Sequence, residues 1–249
     1  MFGEIKNTQG ERLDYSFHKG ERNSKNIVVL GHGVTGNKDR AFIVALAEGL
    51  SIAGISAIRI SFSGNGASEG KFVDSNISKE VDDLEAVLNI LTDYTVCYVG
   101  HSMGGAVGVL YTIKSNRVKL LVSLAGMVHT KTFAQHEFSG VKPGEGFMWA
   151  DPDCPLSQLY MDDLAQIDTV VDYAPQITLP WLFVHGADDD VVPIQDAYDI
   201  FAKANEPKQL IEIKGADHVF SDEVTSVMVD KVVNWIRVQF ANLDQGTKA

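Results

Sequence analysis

The chain has few cysteines, no excess of basic residues and no long apolar run, and each absence excludes a class of protein. Two cysteines among 249 residues, Cys97 and Cys154, cannot build a disulfide framework, so we expect free thiols in a reducing compartment. The net charge is −12, from 21 Lys and Arg against 33 Asp and Glu. Such a surface repels nucleic acid and anionic membranes, and neither is expected as a partner.

Signals for export, membrane insertion and metal binding are also missing. No stretch approaches the roughly 20 apolar residues that cross a bilayer, and residues 1–6 lack the basic and apolar regions of a signal peptide. We therefore expect a cytoplasmic protein. His129 and His136 have no matched acidic partners in a ligand pattern, and no metal or cofactor is expected. A hydrophobic content of 45% over this length is enough for one sizeable core.

What the chain does contain is a regular alternation of apolar runs and amphipathic segments. After a strand pair within 2–19, we predict strands at 27–31, 55–60, 95–100 and 119–124, helices at 39–52, 77–93 and 103–114, and a last helix at about 222–240. This alternation predicts an α/β fold, a mostly parallel sheet with helices on both faces. Functional loops then belong at the carboxyl ends of the strands.

The most informative motif is G-x-S-x-G at Gly100–Gly104, between an apolar run and a helical stretch. Strand, tight turn and helix form the context in which this motif presents a nucleophilic serine, here Ser102, above the sheet edge. The flanking glycines let strand and helix pass close together. The alternative is a glycine-rich turn with an incidental serine.

Two later loops supply the partners that such a serine needs. His185–Pro193 and Gly215–Phe220 each follow a strand-like run, so both fall at the same sheet edge as Ser102. The order nucleophile, acid, histidine is that of hydrolases with this motif. His218 would take the proton of the weakly nucleophilic hydroxyl, and a carboxylate behind it would orient the ring and stabilise the imidazolium.

A rival interpretation comes from Gly31–Gly36, which matches the dinucleotide-binding pattern G-x-G-x-x-G after a strand. That fingerprint also requires an acidic residue about 20 positions later. The next strand ends in Ser61 with no Asp or Glu beside it, and Asn37 stands where a P-loop requires lysine. The rival also leaves Ser102 and His218 unexplained, so we prefer the hydrolase interpretation.

Together, the segments Gly31–Lys38, Gly100–Gly105, His185–Pro193 and Gly215–Asp222 resemble the α/β-hydrolase superfamily. The closest likeness is to cinnamoyl and feruloyl esterase-like enzymes, and to monoacylglycerol lipase-like and S33-peptidase-like serine hydrolases. The resemblance implies the α/β-hydrolase fold with an inserted cap. It places the core at 1–125 and 179–249 and the cap at 126–178.

The resemblance also implies individual roles. The family pattern H-G-x-x-D-x-x-V-P, laid on His185–Pro193, selects Asp189 as the triad acid, with Asp188 as the alternative and Asp190 as a solvated neighbour. The backbone N–H groups of Val34 and Met103 would form the oxyanion hole.

The chain also departs from its relatives at two places. They often carry an aromatic residue at the position of Val34, so the acyl pocket here differs. They commonly read D-x-x-G-H-G where this chain has Ser61 and Asn65, which leaves the triad intact but changes the hydrogen bonding of that loop. His32 is expected to order the oxyanion loop.

The cap, residues 126–178, is rich in glycine, proline and acidic residues with interleaved aromatics: Phe133, Phe138, Phe147, Trp149 and Tyr160. These rings either line a substrate pocket or hold the cap together. The resemblance places Tyr160 where cinnamoyl esterase-like caps have a pocket tyrosine, so it is a candidate substrate-binding residue.

The sequence therefore predicts a serine hydrolase that cleaves small, short-chain or aryl carboxylic esters through an acyl-enzyme, without a cofactor. The same triad also serves thioesterases, lipases and S33-type peptidases, and these remain alternatives. A non-catalytic ligand-binding protein with this fold is the alternative of another class. The oligomeric state, monomer or homodimer, stays open.

Overall fold

The computed structural model describes residues 2–21 and 24–246. These residues contain nine β-strands in two sheets. The strands, in chain order, are β1 (Ile5–Lys6), β2 (Arg12–Leu13), β3 (Tyr15–His18), β4 (Asn26–Gly31), β5 (Ser56–Ile60), β6 (Thr95–His101), β7 (Val118–Leu124), β8 (Trp181–Gly186) and β9 (Lys208–Ile213). β1 and β2 form a small antiparallel ribbon. The other seven form one sheet in the order β3-β5-β4-β6-β7-β8-β9, parallel except for β3, which runs antiparallel to β5.

Helices cover both faces of this sheet, which is why its central strands are apolar on both sides. α1 (Ala41–Ile52) and α7 (Val224–Gly246) pack on one face. α2 (Ile77–Asn89), α3 (Met103–Lys114) and α6 (Ile194–Lys203) pack on the other. The expected α/β-hydrolase architecture, a mostly parallel sheet with helices around it, is confirmed.

The predicted element bounds agree with the structure within about two residues for the strands, and differ more at two helix ends. α2 ends at Asn89 instead of 93, and the Arg117 guanidinium donates to the carbonyl of Leu88 in its last turn at 3.4 Å and to that of Leu91 just beyond it at 2.8 Å. A side-chain donor that satisfies the free carbonyls at a helix end stabilises the helix stop. α7 runs to Gly246, beyond the predicted 240, because its apolar stripe continues past Phe240 to Leu243, which packs against the same core.

The chain between β7 and β8 contains α4 (Thr130–Phe138), α5 (Gln158–Ile167) and two 3₁₀ turns, Met148–Ala150 and Val171–Gln176. Its buried rings, Phe133, Phe138 and Tyr160, belong to the same apolar cluster as α2 and α3. We call residues 126–178 the cap segment. It therefore packs on the sheet's own helices and has no separate core.

Two further observations bear on the expectations from composition. Cys97 and Cys154 are both buried free thiols. Within residues 2–21 and 24–246, none of the helices combines the length and the apolar character that a bilayer span requires.

Candidate active site

Ser102 lies between the last residue of β6 and the first residue of α3, on a backbone that ordinary residues avoid. Its φ and ψ are 53° and −119°, a conformation that costs a non-glycine residue about 1–3 kcal/mol. The surrounding backbone maintains it: the Ser102 N–H donates to the Leu124 carbonyl at 2.9 Å, and the Ser102 carbonyl accepts from the Met127 N–H at 3.1 Å. Strain at such a position is typical of a functional turn.

Close approach of the turn to the neighbouring loop explains its glycines. A Cβ on Gly104 would lie 2.6 Å from the carbonyl oxygen of His32, and one on Gly33 would lie 2.6 Å from the Cβ of Ser102. Neither distance is tolerated, so only glycine fits at these two positions. The loop after β4 is thereby held directly against Ser102.

His218 and Asp189 form a hydrogen-bonded pair at the same edge of the sheet. His218 Nδ1 lies 2.9 Å from Asp189 Oδ2, so Nδ1 carries the proton and donates it to the carboxylate. The other ring nitrogen, Nε2, then keeps its lone pair, as a general base requires. Asp188 and Asp190 are exposed, and of the three adjacent aspartates Asp189 is the one that contacts His218.

The carboxylate of Asp189 is fully buried and saturated with donors. Oδ1 accepts from the N–H groups of Val191 at 3.0 Å and Val192 at 2.9 Å, and His185 Nε2 lies 3.3 Å from Oδ2. Burial by itself raises the pKa of Asp189, but the hydrogen bonds from His185, His218 and Val192 outweigh it. The pKa therefore lies well below its ordinary value, and Asp189 is ionised at neutral pH.

His101, the residue before the serine in the G-x-S-x-G motif, connects the serine turn to the histidine loop. Its Nε2 donates to the carbonyl of His218 at 2.8 Å, and the two rings lie 4.7 Å apart between centroids. Burial, and then the neighbouring His218, lower the pKa of His101 to about 3, so the ring is neutral. Sequence reasoning missed this residue, because its partner is a backbone carbonyl 117 positions away.

His32 orders the loop after β4, as the sequence suggests. Its Nε2 accepts from the Phe62 N–H at 3.0 Å, and its Nδ1 therefore carries the proton and donates to the Gly33 carbonyl at 2.8 Å. Burial lowers the pKa of His32 to about 4, which keeps it in this neutral form.

The next residues form a tight turn in which the Gly36 N–H donates to the Gly33 carbonyl at 3.0 Å, with Thr35 in the left-handed region at φ 54°. The turn's own hydrogen bond does not use the Val34 amide. The amide of Met103 is likewise outside the helical hydrogen bonds, because it belongs to the first residue of α3. Among the described residues, neither of the two amides expected to form the oxyanion hole therefore has a backbone acceptor of its own.

Ser102, His218 and Val34 line one cleft of about 270 Å³. In this resting geometry no hydrogen bond joins the Ser102 hydroxyl to the His218 ring among the described residues. Catalytic hydrogen bonds are often long before substrate binds. The remaining wall is mostly apolar, from Phe42, Val191, Val219 and Trp149.

The cap aromatics divide into two groups. Trp149 lines the cleft, is 45% exposed, and donates from its indole N–H to Glu137 at 2.7 Å. Phe133 and Phe138 are buried and pack edge to face. Tyr160 is also buried, with its hydroxyl 3.7 Å from the Met103 sulfur, and it does not line the cleft. The structure thus places Tyr160 behind Met103, away from where substrate would bind.

A second hollow of about 270 Å³ lies on the other side of Val191, lined by His129, Phe133 and His136. His129 Nε2 contacts Asp199 at 3.0 Å, an ordinary surface pair. Within the described part of the chain, no group of three His, Cys, Asp or Glu side chains is arranged to hold a metal ion. A larger hollow of about 770 Å³ opens where β7 and β8 begin, at the opposite edge from Ser102.

Comparison with solved structures agrees with this architecture. Est1E from Butyrivibrio proteoclasticus, solved with ferulic acid bound, superposes with a TM-score of 0.80 at 24% identity, over 96% of this chain and 99% of that one. The monoacylglycerol lipase of Paleococcus ferrophilus gives a TM-score of 0.73 at 20% identity, over 90% and 98%. The chain has the α/β-hydrolase fold. The resemblance expected from the sequence motifs is therefore confirmed.

Sequence comparisons point the same way. The family model of serine aminopeptidase, S33, matches residues 22–142. The protein YfhR of Escherichia coli O157:H7 is 24% identical over 219 residues, covering 84% of this chain and 69% of YfhR. Human alpha/beta hydrolase domain-containing protein 17B is also 24% identical, covering 85% and 66%. The match to YfhR of Salmonella typhi covers 46% of that protein. The chain therefore spans about half to two thirds of the length of these relatives.

Proposed function

We propose that the protein is a serine hydrolase that cleaves small carboxylic esters, with short-chain or aryl groups, through an acyl-enzyme. The observation that supports this best is the strained serine of the turn at Ser102, which shares a cleft with His218, while His218 is hydrogen-bonded to the buried anion Asp189. A nucleophile, a base and an orienting acid are the three groups that such catalysis uses.

The proposed reaction has two halves. Ser102 Oγ attacks the ester carbonyl as His218 Nε2 takes its proton, and the amides of Val34 and Met103 hold the oxyanion. His218 then gives the proton to the departing alcohol, which leaves an acyl group on Ser102. Water, deprotonated by His218, attacks that acyl group and releases the acid. Asp189 stabilises the imidazolium in both halves and stays ionised.

The size and wall of the cleft support small substrates. About 270 Å³ is at the lower end of the volumes that hold small ligands, and its rings and branched side chains suit aryl or short aliphatic groups. Est1E, a structural relative, was solved with an aromatic acid, ferulic acid. A peptidase is the second candidate, favoured by the match to the serine aminopeptidase family; thioesterase and lipase activity remain further alternatives.

The cap boundaries, 126–178, also stay a proposal. The aromatic side chain of Trp149 at the cleft supports a cap that shapes the substrate site, while the core at 1–125 and 179–249 supplies the chemistry.

A fluorophosphonate probe followed by a panel of nitrophenyl esters, aryl esters and aminoacyl nitroanilides tests the proposal. We expect labelling of Ser102, ester turnover, and a loss of about 10⁴-fold or more in Ser102→Ala and His218→Ala. Ser226→Ala, on the exposed side of α7, is the matched control and should keep full activity. An unlabelled wild-type protein would instead favour the non-catalytic binding alternative, and preferential cleavage of nitroanilides would favour the peptidase.

A further inference from the structure

The cleft beside Ser102 contains one permanently charged side chain, Arg40. Arg40 is exposed and lines the cleft together with Ser102, His218 and Trp149. Every other described lining residue is apolar, a glycine, a hydroxyl residue or a histidine. An apolar cleft with a single cation is suited to a ligand that has an apolar body and one negative charge.

The positive charge of Arg40 is not neutralised by another side chain in the part of the protein that the structure describes. No carboxylate forms an ion pair with Arg40 among the described residues, whereas the nearby Lys38 and Arg59 pair with Asp39 at 2.7 Å and 2.9 Å. One hydrogen bond from Arg40 is present, from Nη2 to the Thr35 carbonyl at 3.1 Å. A guanidinium has five N–H donors in a planar fork that matches a carboxylate, so most of this fork remains free.

Arg40 lines the cleft together with Gly33–Gly36, which we call the oxyanion loop, and with Trp149 of the cap segment. Its field reaches His32 behind that loop, where, after burial, Arg40 helps to lower the pKa. It also reaches Cys154 in the cap segment, where burial raises the pKa and Arg40 opposes the change. Because residues of both segments line the same cleft as Arg40, a ligand held in the cleft lies near the cation.

We propose that Arg40 selects esters that carry a carboxylate, so that the substrate class is an anionic aryl or short-chain ester. This inference rests on the proposed function, since it names the substrate of the same site. The overall charge of −12 repels anions at long range. A free cation at the cleft is the local feature that reverses this repulsion for a bound substrate.

A purely structural role for Arg40 makes a different prediction. If the hydrogen bond from Arg40 to the Thr35 carbonyl only holds the oxyanion loop in place, loss of Arg40 lowers the rate of hydrolysis of every ester by the same factor. If it binds a carboxylate, loss of Arg40 slows charged esters more than neutral ones of the same shape. The ratio of the two rates within one variant separates these roles.

Matched ester pairs measure that ratio. The substrates are 3- and 4-acetoxybenzoate against the corresponding acetoxybenzamides, with the charge on the alcohol side, and methyl 4-carboxycinnamate against its carbamoyl analogue, with the charge on the acyl side. In Arg40→Gln we expect the carboxylate-to-carboxamide ratio of kcat/KM to fall about tenfold for at least one series, which corresponds to about 1.4 kcal/mol. Arg40→Lys should give an intermediate ratio, because lysine keeps the charge but not the fork.

The control is Arg237→Gln, which removes the same charge from the exposed face of α7, where Arg237 contacts Asn234. It should leave the ratio unchanged. Equal losses for both members of every pair in Arg40→Gln would overturn the proposal and assign Arg40 to loop support.

Product binding gives a readout that needs no turnover. Calorimetry should show 3-hydroxybenzoate binding the wild type more tightly than Arg40→Gln, with 3-hydroxybenzamide unaffected, and added salt should narrow the difference. Equal binding of 3-hydroxybenzoate to both proteins would overturn the inference even if Ser102 is labelled and esters turn over. Conversely, Ser102 could stay unlabelled while carboxylate binding still depends on Arg40. That result would contradict the proposed hydrolase function and support the anion site.

Discussion

The carboxyl edge of the sheet and the cap segment above it are held in place by different interactions. At the edge, the rings of three buried histidines contact backbone carbonyls: His32 that of Gly33, His101 that of His218 and His185 that of Val192, at 2.8 Å, 2.8 Å and 2.9 Å. In the cap segment, ring contacts converge on one side chain: Phe138 lies 6.0 Å from Phe133, 5.1 Å from Trp149 and 6.2 Å from Tyr160, between centroids.

The two regions therefore differ in how strictly their contacts fix the geometry. Hydrogen bonds have a fixed direction and length, so the histidines hold three loops in one geometry, which is what a reacting group requires. Apolar packing tolerates changes of residue so long as volume is kept. The edge is therefore suited to conserve one chemistry, while the cap segment is suited to vary the substrate.

Removing the buried anion at the carboxyl edge should cause the largest loss of activity. Asp189→Asn keeps the size of the side chain but presents an amide to His218, so the ring loses the acceptor that orients it. We expect kcat to fall by about 10³–10⁴-fold, measured with the best ester of the panel. Asp188→Asn, exposed and one residue away, is the control and should stay within about twofold. The reverse result would move the acid to Asp188.

The second test asks whether the edge, unlike the cap segment, is sensitive to acid. The pKa of His101 is about 3 in the folded protein against about 6.5 when unfolded. Between these values the unfolded chain binds the proton and the folded chain does not, so the unfolding free energy falls as pH falls, by up to about 1.4 kcal/mol per pH unit. Above about pH 6.5 this contribution to stability is complete.

His101→Phe removes that contribution and should give a flatter dependence of stability on pH. Urea denaturation at pH 4.5, 5.5 and 6.5 in both proteins measures the difference, and other groups whose pKa changes on folding, such as the buried His32 and Glu80, cancel in the comparison. His136→Phe, whose side chain is 78% exposed in the cap segment, is the control and should leave the slope unchanged. Parallel curves for His101→Phe and wild type would show that His101 is already charged or exposed.

Much of the edge could be predicted from the sequence, because its geometry follows from topology. Parallel strands end at one edge, so Ser102, Asp189 and His218, each shortly after a strand, had to approach one another. The choice of Asp189 over Asp188 came from the family pattern alone. His101 and Arg40 could not be predicted, since the partner of the first is a distant carbonyl and the significance of the second is a missing ion pair.

The cap segment was harder to predict for a related physical reason. Aromatic side chains serve packing and substrate binding equally well, and composition does not distinguish the two uses. Only coordinates separate Trp149, at the cleft, from Phe138, which is about 1% exposed inside the cap segment.

A third test therefore compares two exposed aromatics of the cap segment. Trp149→Ala removes an apolar wall of the cleft, so KM should rise about three- to tenfold while kcat changes little, as expected when ground state and transition state lose the same contact. Phe147→Ala is the control, since Phe147 is similarly exposed at 42% but does not line the cleft. Equal effects of both variants would mean that the cap segment acts as a unit and not through Trp149.

The smallest effect is expected at Tyr160, where the family resemblance and the structure point to different roles. A pocket tyrosine would donate its hydroxyl to substrate, and Tyr160→Phe would then raise KM severalfold. In the structure, the hydroxyl faces the Met103 sulfur at 3.7 Å, a weak acceptor, and burial raises the pKa of the phenol well above its ordinary value. We therefore expect Tyr160→Phe to change KM and kcat by less than about twofold. A severalfold rise in KM alone would contradict this expectation. It would show that the cap segment moves when substrate binds and brings Tyr160 into the cleft, so that the lining of the cleft depends on the ligand.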